Sequence, residues 1–511
     1  MWTKKSRVNR RVFLRQSATL GLGALVSPCL ARMGWAATKD RVIVIQAVGM
    51  DSLHPYAYSA APQYGIWQHL IEPLVEMDFA RREYVGVLAE SWEFQGTKWV
   101  FRLRKGIRFH DGSPFTSKDV VFSLNRIKND KRSLQGSNFE DVTETEAPDD
   151  HTVVITTKSP NAVFLDRLAD RFMMSKAAAD KYGDQMDSYA IGTGPYKFVS
   201  WQRDGNLVLT RNNDYWGAKA EIREVVFRTV KEDAARVAGL LAGQGDAINN
   251  VPIEEIAHIK GHPRTRVEKT EGLRMYFLAM NPTFKPFDNK LVRHAINYAV
   301  DPLAIMKNLY DGNGHVLNGP LNSNVIGYDP SVKRYPYDPK KARELLTKAG
   351  FPNGVEVKLH FAPDRYPKAK EVCEVIGNQL AKIWIKVELV SQEFADFWGN
   401  AGVAGGKIPF YYVGRTPVDA DTLYDQYFRT GVTKRVSYSN PEFDKLIDEE
   451  QRTGDHKKRV ALLQQAGRIL MEDVPFVPLY TLDEVYGAAR NILWKAKPDQ
   501  RIHVAEMKIK S

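Results

Sequence analysis

Strand and helix signals alternate along nearly the whole 511-residue chain with no long flexible spacer, and that interleaving limits the fold more than any other feature. Apolar and polar side chains alternate, the two-residue period of a half-buried strand, at 99–104, 152–157, 206–211, 273–280 and 355–361. Helices with recognisable ends lie between these runs. At 337–350 Asp338 caps, Pro339 suits a first turn because it has no N–H to lose, and Gly350 ends the helix, leaving Ala342, Leu345, Leu346 and Ala349 on one face. Asn440 precedes Pro441 in the same way, with Phe443, Leu446 and Ile447 as the apolar stripe. Asp301-Pro302 stops one helix and starts another, and Thr116 with Asp119 forms a capping box ahead of Val120-Val121-Phe122. A length prior of about 150 residues per domain suggests about three domains. With no internal repeat and no Gly/Ser linker, they are expected to interleave and share crossing strands.

Composition is that of a folded chain, 43% hydrophobic and 11% aromatic with no low-complexity tract. Its net charge of +11 would suggest nucleic acid, but seven of those charges lie in residues 1–37, which hold no acid, so the remainder carries +4. Segment 1–37 has a basic start, an apolar run at 17–31 too short to span a bilayer comfortably, and small residues near Ala36 and Ala37. It reads as a removable export signal. Asn9-Arg10-Arg11-Val12-Phe13-Leu14-Arg15 resembles a twin-arginine signal, which directs folded proteins across the bacterial inner membrane. The competing reading is a basic amphipathic anchor that stays attached. Cys29 as a lipid site is disfavoured by Pro28, where lipoprotein signals have a small residue. Cys373 is then the one cysteine left, expected as a core thiol with no internal disulfide.

Catalytic and cofactor motifs are scarce. His110-Asp111-Gly112 reads as a turn rather than a metal centre, no CxxC pair exists, and no metal or cofactor is expected. Gly192-Thr193-Gly194-Pro195 lacks the Lys-Ser/Thr of a phosphate loop, and no GxSxG elbow occurs. The basic residues Arg102, Arg104, Lys105 and Arg108 are interleaved with Phe101, Leu103, Ile107 and Phe109, which is a strand with a solvated face and not a nucleic-acid stripe. A carboxylate pair acting as a secreted hydrolase stays open, since spacing in sequence does not exclude it.

Longer blocks carry a resemblance. LIEPLVEMDFARREYVGVLAESWEFQGTKWVFRLRKGIRFHDGSPFTSKDVVFSLNRI at 70–127 resembles the signature region of the peptide/nickel-type solute-binding proteins of bacterial ABC importers. GTGPYKFVSW, RNNDYWG, LAMNPTFKPFDNKLVRHAINYAVD, YPYDPKKARELLTKAGFPNG and YSNPEFDKLIDEE follow in the family's order, so the likeness spans about 70–480. The resemblance implies an α/β, two-lobed periplasmic-binding-protein fold with three interleaved domains and a hinged ligand cleft. Domain I would comprise 38–72, 188–276 and 482–511, domain II 73–187, and domain III 277–481. It implies no covalent chemistry: a monomeric periplasmic receptor captures a small peptide or peptide-like solute between its lobes and hands it to an ABC permease. The same family takes nickel complexes, haem, opines and oligosaccharides, so those ligands stay open.

One segment departs from the family's pattern. In peptide-binding members the stretch matching 413–423 runs Gly-Trp, two residues, then an aspartate that holds the peptide's amino group, then Asp-Pro-Asp. Here Gly414 is followed by Arg415, the amine-holding acid is missing, and Asp419 and Asp421 match the later acids. A guanidinium where a carboxylate is lost favours an acidic ligand group. Arg415 therefore either faces the cleft and binds an anion or pairs with Asp419 or Asp421. Asp421 is expected to cap the helix containing Leu423 and Tyr427, with Asp425 exposed one turn on. Further ligand-site candidates on the resemblance are Asp419 itself, His54 and Tyr56 in the loop after the first strand, Asn281 where the chain crosses between lobes, and Trp398 and Tyr412 as stacking rings. Each has a structural reading beside the functional one.

Overall fold

The computed structural model describes residues 40–57 and 60–510; the export signal expected at 1–37 lies outside them. Among the described residues eleven strands form the main sheet: β1 (Arg41–Gln46), β2 (Tyr196–Trp201), β3 (Asn206–Arg211), β4 (Glu224–Thr229), β5 (Ala247–Ile248), β6 (Thr265–Met280), β7 (Gly314–Val316), β8 (Val355–Phe361), β9 (Ile385–Ser391), β10 (Phe410–Arg415) and β11 (Phe476–Ala489). Their order is β9-β8-β10-β6-β11-β5-β1-β4-β3-β2, with β7 pairing separately to β11. Parallel pairing joins β1 to β4 and β5, and β8 to β9 and β10, so crossovers occur on both sides of the β6–β11 pair, while β4, β3 and β2 close one end antiparallel. A four-stranded antiparallel sheet (89–95, 98–103, 152–157, 142–149) and a hairpin (75–78 with 83–86) stand beside it.

Sequence explains the layers. β1 reads RVIVIQ, an apolar run with no alternation, as expected for a strand covered on both faces. Val42 and Val44 enter a large core with Trp67, Phe101 and Phe172, whereas Ile43 and Ile45 enter a smaller one with Leu240 and Ile248. A third core gathers Met275 to Met280 with Ile296, Tyr412, Leu463 and Phe476. Cys373 is buried there as a free thiol. The molecule therefore has two packed halves, and β6 and β11 run from one into the other.

Those two strands pair antiparallel along most of their length, and the 16 residues of β6 span about 50 Å at the usual rise. Sequence alternation at 273–280 captured only the half of β6 that enters the third core. The register slips between Glu271 and Met275, where the Asn322 side chain donates to the carbonyls of Gly272 and Leu273 at 3.2 Å each. Asn281 closes β6: its N–H donates to the Pro409 carbonyl at 2.8 Å, and its buried side chain accepts from Thr283.

Helix ends follow the expected chemistry with one exception. In α1 (Ser117–Asn129) the Thr116 N–H donates to Asp119 at 2.7 Å. α2 (Pro302–Tyr310), α3 (Pro339–Lys348) and α5 (Pro441–Glu450), numbered with α4 (Ala420–Tyr427) between them, are capped by Asp301, Asp338 and Asn440. Gly350 ends α3 in the left-handed region at φ +93°. In α4 the cap is Asp419 and not Asp421: the backbone is still extended at Asp419, so its carboxylate accepts from the Asp421 N–H at 3.0 Å and Asp421 falls in the first turn. Asp425 is half-buried and paired with Arg429. α6 (His456–Asp473) packs along α5.

Gly272 sits where the crossing strands slip, and a Cβ there would lie 2.6 Å from the Leu482 carbonyl oxygen and 2.9 Å from Glu484. Gly272→Ala should therefore destabilise the protein by about 1–3 kcal/mol, the usual cost of forced overpacking, read as a lowered urea midpoint.

Candidate ligand-binding cleft

A cavity of about 620 Å³ opens where the helix at Ala61–Trp67, the 75–86 hairpin, the 215–218 turn, the 497–506 tail and the loop leaving β10 converge. Acids dominate its charged lining. Glu72 is held by the Tyr215 hydroxyl at 2.6 Å and the Trp216 indole N–H at 2.8 Å. Burial nevertheless pushes its pKa up to about 7. Asp166 is raised to about 6 by burial and by the charge of Asp419, while the Tyr84 hydroxyl donates to it at 2.9 Å. Arg501 lies 3.7 Å over the Tyr64 ring and pairs with Asp170 at 2.9 Å. Thr416 and Val418, just beyond Arg415, form the facing wall.

Arg415 itself ends β10, half-buried, and does not pair with Asp419 or Asp421. Those acids are engaged elsewhere. Arg459 binds Asp419 with two nitrogens at 2.5 and 2.8 Å and Glu450 at 2.7 Å, all three groups being buried. Asp421 accepts from Gln451 at 2.9 Å. Arg415 lies instead over Trp398 (5.6 Å) and Tyr427 (5.5 Å), and a second arginine, Arg435, lies over the same two rings at 5.2 Å each. Both guanidinium groups donate to one acceptor, the Gln426 side-chain oxygen, at 3.1 and 2.9 Å. Among the described residues, neither arginine has a carboxylate within ion-pair distance. Two unit charges about 6 Å apart repel by about 3 kcal/mol at an effective dielectric of 20. The four cation–π contacts, at about 0.5–1 kcal/mol each, are together comparable with that repulsion and hold the pair in place without supplying a negative charge.

The remaining candidates are sealed into the scaffold. His54 is buried, bonded to Asp130 at 3.0 Å and accepting from the Tyr56 N–H. Tyr56 is buried, its hydroxyl donating to the Phe172 carbonyl at 2.7 Å. Tyr412 is buried against Tyr276 and shares a 2.8 Å hydroxyl contact with Tyr480. Trp398, half-buried, stands with Arg415 on the arginine wall. None of the seven lines the acidic cavity. His258 and His262 have the four-residue spacing of a metal pair, but His258 bonds Glu255, and no group of three His, Cys, Asp or Glu that could hold an ion occurs among the described residues.

Glu72 gives a pH test. A carboxyl whose folded pKa lies above its ordinary 4.5 favours folding only while protonated, so its contribution is present below about pH 4.5 and is lost as pH rises to about 7. The loss is about 2–4 kcal/mol. Urea unfolding between pH 4.5 and 8 should show wild type losing about that much more stability than Glu72→Gln.

A family model for bacterial extracellular solute-binding proteins, family 5 Middle, matches residues 83–435. Glutathione-binding protein GsiB of Pectobacterium atrosepticum is 31% identical over 464 residues, covering 88% of this chain and 89% of that protein. Heme-binding protein A of Haemophilus influenzae is 30% identical over 447 residues, 81% of each chain. The solved structure of HbpA2 from Haemophilus parasuis matches with a TM-score of 0.85 at 28% identity, covering 92% of this chain and 100% of that one. Two halves crossed by paired strands, a cavity at their junction and a likeness that runs nearly end to end lead to one assignment: the chain belongs to family 5 of the bacterial extracellular solute-binding proteins.

Proposed function

We propose that this protein is the periplasmic receptor of an ABC importer, holding a small peptide-like solute between its halves with an acidic group of the solute on Arg415. One observation carries the ligand reading: Arg415 is half-buried at the end of β10, beside the cavity wall, with no carboxylate partner among the described residues. A guanidinium so placed offers a fork of donors to a carboxylate. Trp398 supplies an aromatic face next to it. His54, Tyr56, Asn281, Asp419 and Tyr412 hold the walls from behind, each through the buried bonds described above. The glutathione-binding relative supports a peptide-like solute, and the heme-binding relative supports a second reading, haem, whose two propionates would meet the same arginine. Residues 1–37 direct the folded chain through the twin-arginine route, the mature protein works as a monomer without a cofactor, and the solute leaves unchanged. Domains of 38–72 with 188–276 and 482–511, of 73–187, and of 277–481 close on one another about the 272–274 slip, and the closed form is what the permease reads.

Native mass spectrometry of the protein taken from its own periplasm tests this. An intact peptide-like solute should be retained, and Arg415→Ala should weaken its binding about 10- to 100-fold, the range for losing a charged hydrogen bond. Less than a threefold change removes Arg415 from the site. A retained haem selects the second reading, and recovery of a cleaved solute would put a carboxylate hydrolase ahead of both.

A further inference from the structure

Arg435 lies twenty residues beyond Arg415, and folding brings the two guanidinium groups onto one oxygen. The Gln426 amide accepts from both, at 3.1 and 2.9 Å, so it marks where an anionic oxygen would be held. That amide is neutral and leaves both charges uncancelled. The acids nearby are engaged elsewhere: Asp425 with Arg429 at 2.9 Å, Asp421 with Gln451, and Asp419 with Arg459. Trp398 and Tyr427 fix both cations in place, and the backbone carbonyl of Arg435 is anchored by the Tyr411 hydroxyl at 3.1 Å. Burial is the main reason that Arg435 sits below the usual arginine range, and the like charge of Arg415 pushes the same way. Two cations held together by rings and an amide, half-buried and without a counter-ion among the described residues, form a preorganised receptor whose repulsion a dianion would relieve.

We infer that Arg415 and Arg435 act as one receptor for a doubly negative group, so that the solute presents two carboxylates or a phosphate to this wall. This rests on the solute-receptor reading above and makes Arg435 a specificity-determining residue.

The test is native mass spectrometry of the whole chain with an equimolar library of synthetic tripeptides carrying one, two or three carboxylates, together with phosphoserine counterparts. Wild type should retain doubly acidic or phosphorylated members at least 30-fold over singly acidic ones, and whichever set is kept identifies the source of the dianion. Arg435→Gln should bring that ratio below threefold while singly acidic members are still retained. Gln426→Glu places a carboxylate where both cations already converge; it should abolish the preference equally and melt no lower than wild type, so loss of fold is not the explanation. Peptides retained by wild type without regard to charge overturn the inference and leave the receptor reading standing. A preference that survives both variants also overturns it. If wild type retains none of the library and instead carries a non-peptide solute from the periplasm, the peptide reading fails and takes this inference with it.

Discussion

Antiparallel pairing of β6 with β11 is the contact on which the rest of the molecule depends. Each half has its own apolar core, and these two strands are the members of the sheet that take part in both. Backbone hydrogen bonds along so long a ladder make each strand stiff, yet the ladder slips at 272–274, where a side-chain amide replaces strand pairing, and again between Tyr276 and Phe277. A stiff connection with local defects concentrates bending at them, and the longer interruption is the one at 272–274. Glycine fits that point because the opposite carbonyl approaches too closely for any Cβ.

Charge is sorted with comparable economy. Asp419, Glu450 and Arg459 form a buried cluster that fixes the start of α4, and through it the loop that leaves β10. Such a cluster adds little net stability, since desolvation offsets most of the attraction, but losing one member would strand a buried charge. It occupies Asp419, and among the described residues Arg415 has no carboxylate within ion-pair distance. The acidic cavity on one side of the loop and the arginine wall on the other are thus two outcomes of one local arrangement.

Sequence reasoning located what depends on near neighbours. The caps at Thr116, Asp301, Asp338 and Asn440 and the strands at 152–157, 206–211 and 355–361 are encoded within a few residues and were legible. The α4 cap was displaced by two residues because both Asp419 and Asp421 have capping chemistry, and only the path of the chain out of β10 selects between them. Arg435 and Gln426 gave no local signal, since no short-range pattern links them to Arg415. Glu72, Tyr215 and Trp216 lie in blocks that read as family resemblance, yet the hydrogen bonds joining them span more than a hundred residues. Unmatched charge can be counted in a sequence, but which arginine lacks a partner is settled only by packing.

The core of the first half begins with Val42 and is completed by Trp494, Ile502, Val504 and Met507. During synthesis the ribosome must therefore release nearly the whole polypeptide before that half can cover its apolar surface. Until then a long nascent segment stays exposed, although domains commonly fold in order from the N-terminus. The chain's topology thus ties completion of that core to the last residues to be made.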